Sequence, residues 1–167
     1  MPASANAAGY VLSRKLPSMD SYIVRDDAGN EVFGAKHHTG FKTEHWDVTD
    51  AGGSKVAVLT HERMHTHATY ILNRDGQPEV RIVKSNWMPT AETWSIDGPG
   101  GPLTLKGDLA DYAWELTDAA GDGVAGFQRK IVTMHRQYAI STKGDPVLVI
   151  CAALAIDAEA EEHDRDA

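Results

Sequence analysis

The sequence contains a single cysteine and no apolar run long enough to cross a bilayer. Cys151 cannot form an internal disulfide, and its position in the stretch VLVICAALAI predicts a buried, small hydrophobic side chain. The longest apolar run, residues 147–156, is about half of the roughly twenty residues that a membrane-spanning helix requires. We therefore expect a protein of the reducing cytoplasm with no transmembrane segment.

Positive charge is also scarce. The chain of 167 residues has 16 Lys and Arg against 24 Asp and Glu, which gives a formal net charge of −8. The largest basic clusters are the pairs Arg14-Lys15 and Arg129-Lys130. Because a negatively charged chain is repelled by a phosphate backbone, nucleic acid is not expected as a partner.

The common catalytic motifs are missing as well. There is no G-x-S-x-G, no P-loop and no G-x-G-x-x-G. Two adjacent carboxylate pairs, Asp26-Asp27 and Glu161-Glu162, lie in a predicted turn and in the acidic C-terminal segment, where solvation is the simplest interpretation. The sequence therefore indicates no catalytic residue and no cofactor, and we expect a protein that is not an enzyme.

What the sequence does contain is a repeat. An aromatic residue, alternating apolar residues, a Gly-containing turn and a second apolar stretch recur six times. The leading aromatics are spaced by 24, 24, 24, 20 and 24 residues, and Tyr10 comes twelve residues before the first of them. They are Tyr22, Trp46, Tyr70, Trp94, Trp114 and Tyr138.

Each copy has an apolar residue two positions after its aromatic, which places both on one face of a β-strand. The Asp- and Gly-rich stretches between strands predict tight hairpin turns, and a calcium loop is the weaker interpretation because the D-x-D-x-D-G pattern is absent. Partner strands are expected around Val32, Val58, Val80, Leu103 and Val124. About twelve short antiparallel strands in a meander predict a closed β-barrel, since closure removes unpaired edges.

The end of the chain differs from the repeats. Asp145 and Pro146 predict an N-cap and a first helical position, and residues 147–156 are apolar on nearly every side. A hydrophobic helix over about 145–157, enclosed by the barrel, satisfies both patterns. We expect a flexible N-terminus over 1–9, a barrel with central helix over 10–157, and a flexible acidic tail over 158–167.

The order of these elements resembles the LURP-one-related family of the tubby C-terminal-like superfamily, which includes the phospholipid scramblases. The resemblance rests on YVLSRKL, SYIVRDDAGNEVFGAK, WDVTDAGG, ATYILNRDG, VKSNW, KGDLADYAWEL, VAGFQRK, QYAIS and VLVICAALAIDA. It implies a twelve-stranded barrel around a central hydrophobic helix. Members of the superfamily are associated with phosphoinositides, membrane lipids or plant defence, but here the cationic residues are spread one or two to a strand. No lipid-binding residue is carried over.

The segment His61-Glu62-Arg63-Met64-His65 matches the H-E-x-x-H pattern of zinc proteases, which works only on a helix. Strand-like residues precede and follow it, so we expect strand and turn and regard the match as accidental. His65 and His67 would share a face if that segment were extended, which makes them candidates for a metal site completed by a neighbouring strand. Apart from these two candidates, we expect no metal ligand.

These observations favour a non-enzymatic LURP-one-like barrel that binds a lipidic or small ligand, a membrane surface or a protein partner. One alternative is a histidine-dependent metal-binding or hydrolytic protein centred on His61, His65 and His67. A second alternative is a structural or regulatory interaction module with no ligand. The identity of any ligand or partner is unknown from the sequence.

Overall fold

The chain folds into a closed antiparallel β-barrel of twelve strands with one C-terminal helix, as the sequence predicts. The structure is a computed structural model that describes residues 7–41, 43–63, 65–132 and 134–166, apart from the side chain of Trp87. Each strand pairs with the next along the chain, and the first pairs with the twelfth to close the barrel. The fold is therefore an up-and-down meander in which none of the twelve described strands is an edge strand.

The strands are short, as expected from the spacing of the turns. Their bounds are β1 Ala8–Arg14, β2 Ser21–Asp26, β3 Glu31–Thr39, β4 Thr43–Asp50, β5 Lys55–Glu62, β6 Thr69–Asn73, β7 Val80–Met88, β8 Ala91–Asp97, β9 Leu103–Asp108, β10 Ala113–Thr117, β11 Gly123–Val132 and β12 His135–Thr142. The helix α1 spans Pro146–Asp166.

The repeated aromatics form one layer of the barrel interior, which we call the aromatic layer. Its six members are Tyr22, Trp46, Tyr70, Trp94, Trp114 and Tyr138, one near the start of each even-numbered strand, and all are buried. Three neighbouring pairs of rings contact each other at tilted angles, as between Tyr70 and Trp94 with centroids 6.1 Å apart. The period of about 24 residues is thus the length of one hairpin.

The Asp- and Gly-rich turns owe their shape to one repeated hydrogen-bond pattern. The Oδ1 atom of Asp26 accepts from the backbone N–H groups of Ala28 and Asn30, both at 3.0 Å. Asp50 and Asp118 accept in the same way from the residues two and four positions on. These carboxylates hold turns, in agreement with the prediction of turn chemistry.

Trp114 explains why a glycine is required in the segment KGDLADYAWEL. Gly107 lies directly opposite Trp114 in the β9–β10 ladder. A Cβ atom built on Gly107 would lie 2.4 Å from the indole Nε1 atom of Trp114, so the indole packs where any other residue would carry a side chain. The indole N–H donates at 2.7 Å to the buried carboxylate of Glu92 on β8.

The helix occupies the barrel interior, as predicted. Asp145 caps it, since its Oδ1 atom accepts from the N–H of Val147 at 3.0 Å, and Pro146 is the first helical residue. Every residue from Val149 to Asp157 is buried. Three of them are alanines, Ala152, Ala153 and Ala155, because the large aromatic side chains of the wall leave little room at the axis.

Two predicted boundaries need correction. The helix does not end at about Asp157 but continues to Asp166, because acidic residues of the predicted tail pair with the barrel wall. Glu161 lies against both Arg14 and Arg136, and Asp164 Oδ2 accepts from Arg136 at 2.8 Å. At the other end β1 begins at Ala8, whereas residues 1–6 of the predicted flexible N-terminus, like residue 167, lie outside the described residues.

Candidate functional site

The meander gives the barrel two chemically different ends. The connections that follow odd-numbered strands all lie at one end, which we call the loop end, and those that follow even-numbered strands lie at the other, the turn end. The helix enters at the turn end, where Arg74 pairs with Asp145. It leaves at the loop end, so its last turns lie in the opening of the barrel at that end, which we call the mouth.

A buried carboxylate fixes the helix in this mouth. Asp157 is 1% exposed and accepts hydrogen bonds from four side chains of the wall. Arg136 donates from Nε at 2.6 Å and Arg14 from Nη2 at 3.2 Å. The hydroxyls of Tyr22 and Tyr138 donate at 3.0 and 3.1 Å. These four donors belong to β1, β2 and β12, so one helix residue ties together the strands at which the barrel closes.

The tyrosines of the aromatic layer are held in the neutral form. Burial raises the pKa of Tyr22 and Tyr138 well above the ordinary value, and the charge of Asp157 raises both further. Burial likewise raises the pKa of Tyr70, whose hydroxyl donates at 2.7 Å to Glu159 on the helix. All three phenols act as hydrogen-bond donors to helix carboxylates.

A second polar cluster lies in the mouth around Glu44. The carboxylate accepts from His61 Nδ1 and from His37 Nε2, both at 2.6 Å, and Arg63 lies 3.6 Å from it. Burial raises the pKa of Glu44, but the hydrogen bonds and charges of the two histidines outweigh that effect, so the pKa lies well below its ordinary value. An ionised Glu44 can only accept, so the Nδ1 atom of His61 carries the proton.

His61 is rigidly placed by this contact. It is 5% exposed, and its ring stacks on Tyr70 with centroids 4.4 Å apart and an angle of 10° between the planes. Since Nδ1 donates to Glu44, the nitrogen that stays available in the neutral ring is Nε2. Ligand atoms of His61, Glu159 and Glu162 all lie within 4.8 Å of one another.

These three residues border a cleft of about 520 Å³ between the helix and the β5–β6 connection. Burial raises the pKa of Glu159, and the charge of Glu162 raises it further, against the opposing effects of Tyr70, Lys84 and His61. Other histidines also line the cleft, namely His65, His67 and His163. The arrangement brings imidazole and carboxylate groups of two elements into one concave site.

The H-E-x-x-H segment is strand and turn, as predicted, and cannot form a zinc-protease site. His61 and Glu62 end β5, and residues 65–67 are bends. His65 is exposed and lies 2.6 Å from Glu62 through its Nε2 atom. His67 is exposed on the same bend, so the extended geometry that would put His65 and His67 on one strand face is not present. Met64 of this segment lies outside the described residues.

A third histidine cluster lies on the outer wall of the barrel. His38 on β3 and His45 on β4 are directly opposite each other, and their rings stack with centroids 4.7 Å apart. Asp47 lies 3.2 Å from His38 and 3.8 Å from His45. Ligand atoms of the three are also within 4.8 Å of one another, but each side chain is only partly buried.

The loop end also exposes an apolar rim. All large hydrophobic side chains that are exposed among the described residues lie at this end, and Phe41 and Met134 are 97% and 94% exposed. The rim consists of Leu16, Met19, Phe41, Met88, Tyr112, Ile131, Val132 and Met134. The two basic pairs of the sequence lie at this end as well, with Lys15 and Lys130 exposed next to rim residues.

Two further predictions from the sequence concern the burial of Cys151 and the absence of a membrane-spanning helix. Cys151 is fully buried in the helix, and burial raises its pKa to about 12. The thiol is therefore unreactive and serves as a small side chain of the core. Within the part of the chain that the structure describes, no helix is both long and apolar enough to cross a membrane.

Sequence reasoning missed Glu44, Asp157, Glu159 and Glu162. The sequence predicts that the acidic C-terminal residues are solvated, because a run of charges without apolar spacing usually is. The sequence does contain a signal for Asp157, since this carboxylate directly follows the apolar run of residues 147–156. Glu44 precedes Trp46 by two residues, as Arg136 precedes Tyr138, so both point into the mouth.

Comparison with known proteins supports the architecture. No protein-family model matches the sequence, and no curated protein matches it. Among solved structures, an X-ray structure of a protein from Arabidopsis thaliana is similar over 95% of this chain and 94% of that one, with a TM-score of 0.63 and 14% sequence identity. At this identity the likeness shows a shared fold.

Proposed function

We propose that the protein is a non-enzymatic, LURP-one-like barrel of the cytoplasm that binds a membrane surface through its loop end. The observation that carries this proposal is the distribution of exposed apolar side chains, all of which, among the described residues, lie at that end. Family membership is supported by the ordered sequence elements and by the barrel shared with the Arabidopsis protein.

The shape of the rim favours a fluid bilayer over a folded protein partner. Phe41 and Met134 project from different connections, β3–β4 and β11–β12, and are almost fully exposed. Separate projecting tips can each enter the interfacial layer of lipids, whereas a protein interface has a contiguous, well-packed apolar centre. Full burial of one such side chain contributes about 1.5–3 kcal/mol, so partial insertion of several suffices for reversible binding.

The net negative charge of the chain does not prevent this contact. Strands of five to ten residues, roughly 17–33 Å long at about 3.3 Å per residue, separate the two ends, and salt screens charges beyond about 8 Å. The acidic turns lie at the far end. The acidic last turns of the helix lie at the loop end, where Glu161 and Asp164 are paired with Arg14 and Arg136. Lys15 and Lys130 are exposed at the same end beside Leu16 and Ile131. A basic side chain near an anionic lipid surface contributes about 1 kcal/mol.

The test is co-sedimentation with vesicles of phosphatidylcholine and phosphatidylserine. We expect the wild type to bind and the double variant Phe41→Ser, Met134→Ser to bind about tenfold more weakly, which corresponds to about 1.4 kcal/mol of lost insertion energy. The matched control is Ala28→Ser, Ala120→Ser, which adds two hydroxyls to exposed positions of the turn end.

Circular dichroism of both variants should match the wild type, because all four positions are exposed. Absence of wild-type binding, or equal binding by the rim variant and the wild type, would contradict a membrane role. Either result would favour a protein partner as the ligand of the apolar rim.

A further inference from the structure

We propose that His61, Glu159 and Glu162 form a binding site for a divalent transition-metal ion, such as Zn²⁺, that links β5 to the helix. The three residues offer one imidazole nitrogen and two carboxylate oxygens within 4.8 Å of one another. The proposal concerns residues other than the apolar rim and does not depend on vesicle binding.

The imidazole of His61 is oriented by a carboxylate, as the imidazoles of metal-binding histidines usually are. A ligating histidine usually donates its second N–H to a carboxylate, which fixes the tautomer and the ring orientation. His61 donates from Nδ1 to Glu44 at 2.6 Å, and the stacked ring of Tyr70 fixes its plane. Glu44 is itself held by His37 at 2.6 Å. The Nε2 lone pair of His61 is therefore oriented before any ion binds.

The two carboxylates come from one face of the helix. Glu159 and Glu162 are three residues apart, which places them one above the other on an α-helix. The Oε2 atom of Glu159 accepts from Tyr70 at 2.7 Å, which orients the carboxylate and leaves Oε1 for an ion. Glu162 lies at the cleft and its side chain can rotate toward His61. A divalent ion would also relieve the repulsion between the two carboxylates.

The donor set selects the class of ion. Imidazole with two carboxylates suits Zn²⁺ and Mn²⁺, at bond lengths of about 2.0–2.2 Å, and ligand atoms around a tetrahedral ion lie about 3.4 Å apart. Because the present ligand atoms lie within 4.8 Å of one another, side-chain rotation must shorten the longest separation by at most about 1.4 Å. Three protein ligands leave a fourth position open toward the cleft, which is also lined by His65, His67 and His163. One of these histidines or water would complete the coordination.

The experiment must distinguish this site from the outer-wall cluster of His38, His45 and Asp47. Calorimetric titration with Zn²⁺ is carried out on full-length protein with the substitution His45→Ala, which dismantles the wall cluster. We expect one ion per chain, and weakening of about tenfold or more when Glu162→Gln or Glu159→Gln is added. In histidine-detected NMR, the Nε2 resonance of His61 should shift on addition of Zn²⁺.

Glu162 is at the edge of the cleft and outside the core, so its amide variant should keep the native circular dichroism spectrum even if Glu159→Gln does not. Retained Zn²⁺ affinity in the Glu162→Gln variant, together with an unshifted His61 resonance, would overturn the proposal. Loss of all binding in the His45→Ala protein would overturn it as well, because the ion would then belong to the outer wall.

Discussion

At the scale of single residues, Asp157 has the largest structural consequence. Its carboxylate is buried, and it accepts from Arg14, Arg136, Tyr22 and Tyr138 around the mouth of the barrel. A buried ion pair is not by itself strong support for stability, but removal of one partner leaves charges without compensation.

We predict that Asp157→Asn lowers the free energy of unfolding by about 3 kcal/mol, because the two guanidinium groups lose their shared buried anion. Urea denaturation followed by circular dichroism measures the change. The control is Asp166→Asn at the exposed end of the same helix, for which a change within about 0.5 kcal/mol is expected. A small effect at Asp157 would mean that Glu161 compensates both arginines.

At the scale of elements, the helix and the wall have complementary volumes. Each even strand contributes one large inward-facing aromatic residue, and the helix presents Ala152, Ala153 and Ala155 at positions with no exposed surface. Leucine at these positions would have nearly as high an intrinsic helix propensity as alanine. Packing against the wall, and not propensity, accounts for alanine here.

We therefore predict that Ala153→Leu destabilises the protein by about 1–3 kcal/mol through overpacking. The matched control, Ala160→Leu, places the same side chain on the same helix where it is only partly buried, and little change is expected. Thermal unfolding of the two variants provides the comparison. Equal melting temperatures would indicate that the barrel interior has free volume next to Ala153.

At the scale of the whole molecule, closure makes the aromatic layer a single cooperative unit. Tyr22, Tyr70 and Tyr138 each donate to a helix carboxylate, and burial raises the pKa of all three above the ordinary value of 10.0. A phenol whose pKa is raised on folding contributes its stability fully below pH 10 and loses it as the pH rises further.

We predict that the native protein loses stability above about pH 10 and that these three tyrosines ionise together with unfolding. Tyrosinate absorbance and far-ultraviolet circular dichroism, recorded on the same alkaline titration, should show a shared transition. Complete ionisation of all five tyrosines while the circular dichroism stays native would contradict the buried donor role.

The closed barrel could be predicted because its cause is local and repeated. Consecutive hairpins are specified by aromatics about 24 residues apart, by alternating apolar residues and by Asp-Gly turns. Closure of twelve such strands into a barrel pairs the backbone hydrogen-bonding groups that two edge strands would leave unpaired. The apolar helix followed from the same logic, since a run that is hydrophobic on all sides must be enclosed. These properties depend on neighbours in sequence.

The mouth of the barrel could not be predicted in the same way. The sequence singles out His61 in an H-E-x-x-H match and in the alternative of a metal site with His65 and His67. Its contacts Glu44 and Glu159, however, are 17 and 98 positions away. The side of the helix that faces each strand depends on how the helix is rotated inside the barrel. That rotation is set by packing and by the pairing of Asp157 with Arg14 and Arg136.

The sequence by itself thus determined the strands, their turns, the closed barrel and the enclosed helix, because short-range periodicity and burial decide them. Tertiary structure alone decided that the acidic tail is helix, that the large exposed apolar side chains among the described residues share one end, and that Glu159 and Glu162 lie beside His61. The physical reason is that an antiparallel meander brings alternate connections to the same end, and closure with an inserted helix joins residues that no sequence spacing relates.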